Sequence, residues 1–507
     1  MLELVKSEPH KSTPISINII EKYSEFNLGL PYGSRSGFST LLITSLKNFL
    51  IEPELSLFIK WLNKNKSWLL EAFENEGGLL SKKWLDENKE AIKNNLWEDL
   101  FIPRRFFGCY IDFKVKKKIE NLTNKGLIQV NFIQGEVIDV DKTDNGYGIY
   151  LENQTNPIYT KKAVLSTGSL PLNYLWREND LIEDKNLLFV NNPYKPELLV
   201  TLKKISNFIN SRGNQNTNIL IVGANASALE MAYKINDVLG FDMHTSFTFL
   251  STQGSVPDAV VDEKRQNEFV PKYLNSLKTK KILTAKAIAE ATFKDLDFAD
   301  SIHLGPASTV NIISNYFGIL LEKLNAKELE LFACIYGNDI GRRQRCAGLH
   351  YTSVITYLEK QKRFSHIPGR FKGLTKNDGD DAYYLNYEDT VTKKQATHCA
   401  PVHLVINCIG SKTLEHSNIP TIHKNVITKG FCVPNESKIG FRVNNYFEAS
   451  KNLHIMGPLL AGNVIENKAV WHVEHCGRII WLSKLLSKIV VDDLLLHKNG
   501  SKNTYQL

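Results

Sequence analysis

The sequence predicts an α/β fold: two open, mostly parallel sheets with helices packed on their faces. Three observations predict it. Short β-branched runs recur along the chain and end in small residues, as in ISINIIEK (15–22), KKAVLSTGSLP (161–171), HTSFTFLSTQGSVP (244–257), VHLVINCIGS (402–411) and NLHIMGPLLAG (452–462). Continuous apolar runs of this kind suit strands buried on both faces of a parallel sheet. One run, NILIVGANASALEMAYKIND (218–237), passes through a glycine straight into helical spacing. Between the runs lie stretches of helical periodicity, at 45–100 and 308–333.

Taken in order, ISINIIEK closes on an acid, Glu21, as the second strand of a dinucleotide-binding half does when its carboxylate holds a ribose. The first strand and its glycine loop should precede it, yet no glycine occurs before Gly29. LELVK (2–6) reads as the tail of the helix that follows such a loop. A βαβ unit of about 30 residues then leaves roughly 20–25 residues, strand and loop, to be accounted for. They are expected to be missing through a late start or through true loss.

Residues 45–100 are rich in Leu, Trp, Lys and Glu and read as helices. In FIPRRFFGCYIDF (101–113), two arginines beside aromatics can clamp a phosphate or stack on a flat ring, or simply anchor a surface turn. VNFIQGEVIDVDKTDNGYGIYLEN (130–153) alternates around Asp-Asn-Gly and predicts a β-hairpin. The strand at 161–171 ends at Thr167–Gly168, a ligand-facing position in an open sheet.

In GANASALE, Gly223 supplies a tight turn and the small residues Ala226, Ser227 and Ala228 allow close approach to phosphate. Asn225 stands where a second glycine is usual, and Asn tolerates left-handed geometry best after Gly. About 20 residues on, an NAD site places an acid on the ribose. Here Ser251, Thr252 and Gln253 are neutral, which leans toward NADP over NAD. YGNDIGRRQRCAGLHYT (336–352) carries Arg342, Arg343 and Arg345, read as a solvated basic loop or a contact for an anionic substrate. The run at 402–411 ends at Gly410. In IMGPLLAGNVIENKAVWHVEHCGRI (455–479), Gly457 and Gly462 flank a turn able to hold a flavin edge or a pyrophosphate. The closing 471–491 predicts one helix, weakened at Gly477, with His472, His475 and Cys476 on one face beside Glu474. Too few ligands gather there for a metal site, and none is assigned.

The bulk numbers narrow the class. At 507 residues, two to four domains are expected. Net charge is +8, a mild excess that does not argue for nucleic acid. The seven cysteines have no CxxC spacing, which argues against a dithiol reductase or zinc ribbon and fits a reducing, cytoplasmic setting. No run of 18 apolar residues and no signal-peptide core is present, so no membrane partner is expected.

Together these pieces resemble the bacterial FAD/NAD(P)-binding proteins distantly related to flavin-dependent N-hydroxylating monooxygenases. GLPYG (29–33) resembles the family's Gly-x-Ala-Tyr, FSTLLITSL (38–46) its Leu-Leu-Asn-Val flavin-lining segment, and IPRRFFGCYI its Pro-Arg-x-x-Phe-Gly-x-Tyr. VLSTGS resembles the Ala-Thr-Gly strand end, VGANASALE the nicotinamide-side loop, STQGSVP the Ser-Arg-x-Gly-x-x-Pro that follows it, and GPLLAGNVIENKAV the closing flavin motif. The order of these loose motifs over some 460 residues carries the match. The resemblance implies Leu42 and Ile43 at the flavin, with Ile43 in place of the family's Asn, and Arg105 near it. Thr252 or Gln253 stands where an Arg is usual.

The expected architecture is two Rossmann-like dinucleotide-binding domains with helical extensions. The FAD domain is discontinuous, 1–200 and 401–507, with an NAD(P) domain of 201–400 inserted. The expected function is an FAD-dependent oxidoreductase that uses NADPH, or NADH, on a small molecule, as a monooxygenase or as a reductase of another acceptor. The rival is a binding or scaffold protein that has lost FAD.

Overall fold

The computed structural model describes residues 14–176, 184–260, 263–376, 381–474 and 476–496. The helix expected at LELVK lies outside them.

The chain enters on β1 (Ile15–Glu21) and passes into a helical layer: α1 (Glu54–Glu76), α2 (Leu79–Lys93) and α3 (Arg104–Asn124). α1 buries Phe58, Leu62, Leu69 and Phe73, a helical-period stripe, against Trp84, Trp97 and Phe106. Strand β2 (Ile128–Gln134) pairs parallel with β1, Ile15 opposite Ile128 and Glu21 opposite Gln134. β3 (Val137–Thr143) and β4 (Gly146–Leu151) form the hairpin, and β5 (Ile158–Thr160) adds a third strand. The alternation at 130–153 therefore spans two sheets. Residues 130–134 join β1, and only 137–151 make the hairpin around Asp144 and Asn145. β6 (Ala163–Leu165) follows.

The larger sheet begins with β7 (Leu188–Val190), then α4 (Leu198–Ser211), β8 (Thr217–Val222), α5 (Ala226–Leu239) and β9 (Thr245–Ser251). The two-residue β10 (Asp258–Ala259) leads to a helical insertion with α6 (Ala285–Ser301), α7 (Val310–Leu320) and α8 (Gly337–Arg343). The helical reading of 308–333 holds with interruptions: a 3-10 turn at Leu321–Lys323 and a π turn at Phe332–Tyr336. β11 (Cys346–Ala347) pairs with β10, and α9 (Leu349–Lys360) returns the chain. β12 (Phe364–Lys376), β13 (Tyr383–Asp389), β14 (Gln395–Val402) and β15 (Leu404–Asn407) complete a seven-stranded sheet of order β14-β13-β12-β9-β8-β15-β7. β8 is buried at every residue, as a central parallel strand must be.

The C-terminal part holds α10 (Thr421–Thr428), β16 (Glu448–Ser450), β17 (Leu453–Ile455), the β18 (Asn463–Ile465) and β19 (Lys468–Val470) hairpin, and α11 (Cys476–Leu496). β17 pairs parallel with β6, so the two ends of the chain share a sheet. The helix expected over 471–491 starts only at Cys476, so His472 and Glu474 lie before it and the shared face is not formed. His475 is outside the described residues. No helix of the described residues is long and apolar enough to cross a membrane.

The helical layer is fastened to α5 by buried polar contacts. Gly78 sits so close to the Asp237 carbonyl that a Cβ would stand 1.9 Å from that oxygen. Asp237 accepts from the Ser81 amide and hydroxyl, both at 2.8 Å, and from Lys234 Nζ at 2.8 Å. Lys234 also donates to Ser39 Oγ at 2.6 Å. The ammonium and these hydrogen bonds outweigh burial and hold the Asp237 carboxyl below its usual range.

Candidate nucleotide and flavin site

The strand–turn–helix at 217–239 forms as the residues dictate. Gly223 takes φ +115, a conformation only glycine adopts easily, and a Cβ there would meet the Cys408 carbonyl oxygen at 2.3 Å. Two backbones thus approach closely at the end of β8 and β15. Asn225 is the N-cap of α5 with φ −85 and ψ −170, extended and not left-handed; the positive φ falls on Gly223 alone. Its side chain makes no cap bond. Ser227 is exposed in the first turn, while Ala228 is buried beneath it. The helix thus begins at the carboxyl end of the central strand, an arrangement that attracts anions. Gly410, at the end of the neighbouring β15, is exposed with open space where a Cβ would stand. Thr252 and Gln253 are exposed beyond β9. Ser251 Oγ lies 2.8 Å from His366 Nε2 and accepts from the Gly254 amide. Burial lowers the His366 pKa to about 4, so this contact is neutral at pH 7.

A second group forms around the end of β6. Thr167 Oγ1 lies 3.0 Å from His423 Nε2 of α10. His423 is buried against Phe441, and burial lowers its pKa to about 4. Its Nδ1 has no partner. Gly168 and Gly457 take φ +77 and +84, each with open space at the missing Cβ. Ser169 Oγ donates to Glu474 at 3.2 Å. Gly462 differs: it is buried, its amide donates to Val470 O, its carbonyl accepts from Cys334, and a Cβ would strike Asn435 and Ser437. It is a packing glycine without a free group for a ligand.

Glu21 remains partly exposed; its Oε1 accepts from the Tyr23 amide at 3.2 Å. Leu42 is buried, and its amide donates to Ile102 O. Ile43 packs at the edge of the same core. The two arginines of 101–113 open α3 and part ways. Arg104 is committed to Glu230 through two bonds of 2.9 and 3.2 Å, with Tyr194 OH on the same carboxylate at 2.6 Å. Arg105 pairs with Glu25 at 2.5 Å and donates to Tyr32 O at 2.9 Å. Its buried Nε has no partner, and neither does Asn27 Nδ2. Arg105 lines an open cleft of about 770 Å³ with Trp61, Trp68 and Phe113.

The basic stretch at 336–352 is not a loop. Arg342 and Arg343 close α8 and pair with Asp339 and Asp300, and Arg345 is exposed just beyond it. Among the described residues no three His, Cys, Asp or Glu side chains gather as a metal site. Sequence reasoning missed Glu25, Glu230 and His423. Glu230 stood in the quoted helix, but only the fold shows that it faces Arg104.

Residues 1–170 match the family described as FAD-NAD(P)-binding. More particularly, an uncharacterized protein of Mycobacterium tuberculosis (strain H37Rv) is 27% identical over 500 residues, covering 97% of this chain and 92% of that one. One of Mycobacterium bovis matches to the same extent. Among solved structures, the FAD-bound cadaverine monooxygenase DfoA of Erwinia amylovora superposes with a TM-score of 0.52 at 10% identity, over 95% of each chain. The ornithine N-hydroxylase KtzI of Kutzneria sp. 744 superposes with a TM-score of 0.51 at 12% identity, over 97% of this chain and 96% of that one. At these identities the likeness shows the fold alone, an α/β architecture with helical extensions.

The described residues fit a flavin in part. The open positions at Gly168 and Gly457 and the unpartnered His423 Nδ1 offer a ligand both room and a polar contact. Beside Glu21, no described residue supplies a glycine turn opening a helix. The fit to a nicotinamide dinucleotide is fuller, because Gly223 and the exposed start of α5 provide turn, space and amides.

Proposed function

We propose that this protein is an FAD-dependent oxidoreductase that draws its electrons from NADPH, with NADH as the alternative donor, and oxygenates a small amine. The observation that carries the reading is the Gly223 turn, which opens α5 at the carboxyl end of the central strand, together with the open glycine positions at β6 and β17. A flavin held here would supply the chemistry of taking up hydride from a nicotinamide and passing electrons to O₂ or another acceptor. The chain's own part is to bind and orient. Gly223, Asn225 and Ser227, backed by the buried Ala228, would hold the phosphates of a nicotinamide dinucleotide, with Gly410 and Thr252 nearby. Glu21, Thr167, Gly168, Gly457, Leu42, Ile43 and Arg105 would hold a flavin. The amine class follows the neighbours, whose titles name cadaverine and ornithine.

β15 pairs with β8 on one side and β7 on the other, which supports moving the proposed domain limits. The NAD(P) domain takes in 188–190 and 404–407, leaving the FAD domain the segments before and after. A second reading is a binding protein that holds no FAD. Spectroscopy separates the two. An oxidoreductase, purified and incubated with FAD, shows bands near roughly 370 and 450 nm that bleach with NADPH under argon and return in air. Protein that holds no flavin after incubation, and oxidises no NADPH, refutes the enzyme.

A further inference from the structure

We infer that the helical insertion carries a contact surface for an anionic lipid bilayer, in which Ile282 enters the lipid while Lys278, Lys280, Lys281 and Lys323 meet the headgroups. The inference goes beyond the flavoprotein reading and does not depend on it.

Positive charge is concentrated in one stretch. From Lys272 to Lys286 the chain carries five lysines and no acid. The lysine-rich stretch at 114–120 differs, because Lys114 and Lys116 are paired with Glu54 and Asp112. Lys280 and Lys281 are exposed and meet no acid among the described residues. Lys286 reaches Glu290 of its own helix, at 3.8 Å.

An apolar side chain stands in the middle of this charge. Ile282 is 87% exposed, the most of any large hydrophobic residue among those described. The loop fixes it there. Leu283, next to it, is buried. Thr284 caps α6 by accepting from the Ala287 amide at 3.2 Å, and the Ala285 amide donates to Glu328 at 2.6 Å. On the other side the Lys280 amide donates to Leu277 O, and Lys323 Nζ donates to Lys278 O. Ile282 cannot turn inward without pulling Leu283 out of the core.

The end of α7 extends the surface. Tyr316 OH donates to Asn275 Oδ1 at 3.5 Å, and the Lys278 ammonium sits 4.1 Å from the Tyr316 ring centre. Ile319 lies about one turn from both Tyr316 and Lys323, so it shares their side of the helix, and it too is exposed.

This pattern selects the partner. A protein interface needs a continuous apolar centre and is depleted in lysine, whereas here apolar residues stand singly among lysines. A nucleic acid would use the lysines and leave Ile282 in water. A bilayer with anionic headgroups uses both, since each lysine gains from the surface potential and a protruding isoleucine reaches the acyl boundary. The contact is peripheral, in keeping with the lack of a membrane-crossing helix among the described residues.

Vesicle flotation of the full chain tests it. Phosphatidylcholine vesicles with about one-third phosphatidylserine should carry the protein, and pure phosphatidylcholine should not. Raising salt from about 0.1 M to about 1 M should release it. Lys280→Glu/Lys281→Glu should weaken binding at least about tenfold, and Ile282→Ser about tenfold. Lys89→Glu/Lys93→Glu makes the same charge change on exposed lysines of α2 and should float as the wild type does. All these side chains are exposed, so an unchanged Tm verifies each fold. Equal loss in the α2 variant overturns the inference, because net charge alone is then at work. An Ile282→Ser protein that floats like the wild type also overturns it. So does a chain that floats with neither vesicle; if it then retains RNA through Lys280 and Lys281, the surface belongs to nucleic acid instead.

Discussion

Replacing Glu230 by Gln leaves the guanidinium of Arg104 buried without its counter-charge. The Arg104 and Glu230 side chains are 16% and 5% exposed, and the pair is bidentate. Burial works against the charge on Arg104, but Glu230, Tyr194 and Tyr351 more than offset it and hold the arginine's pKa above its usual value. Breaking a buried pair from one side costs about 3–5 kcal/mol, against about 0–1 for an exposed one. The slight exposure of Arg104 sets the expectation at the lower end, about 3 kcal/mol. For a domain of 150–250 residues this lowers Tm by about 6–12 °C. Scanning calorimetry of the wild type and Glu230→Gln measures it. The double variant Arg104→Met/Glu230→Leu should recover most of the loss, because it removes both charges. A single-variant shift below about 2 °C, or a double variant no better than the single, refutes the account of a buried ion pair joining α3 to α5.

His423 is neutral in the fold, with its pKa lowered by burial to about 4, while an unfolded histidine titrates near 6.5. Below that value the unfolded chain takes up the proton first, so this stability is present above about pH 6.5 and is lost as pH falls through about 4, by about 3 kcal/mol. His423→Gln should flatten that part of a stability–pH curve; an unaltered curve contradicts the assignment. Glycine substitutions should separate by surroundings. Gly168→Ala meets open space and should lose about 1–2 kcal/mol to its positive φ alone, whereas Gly223→Ala also collides with Cys408 O and should lose more, along with NADPH affinity, as urea midpoints and ligand titration will show.

The strands were legible because their runs are apolar and β-branched; each candidate run contains a strand, although the one at 161–171 stops at Leu165, short of Thr167–Gly168. What was not legible was partnership. Residues 130–134 carry the same alternation as 137–151, and only long-range pairing with β1 separates them. The helix expected at 471 does not begin there because Trp471 is committed elsewhere: it packs against Gly337 with Arg478 over its ring, and 471–474 are not helical. Arg104 and Arg105 are adjacent and alike in sequence. One faces Glu230 across 126 positions and the other Glu25, a distinction no local pattern encodes. Gly457 and Gly462 look equivalent on paper, yet only the first has open space beside it.

The contact between Gly78 and Asp237 has a mechanical consequence. Backbone lies against backbone there, with Lys234 and Ser81 locked on either side, so α2 cannot slide along α5 without unpairing buried charges. The helical layer and the nucleotide-turn helix move as a single lever.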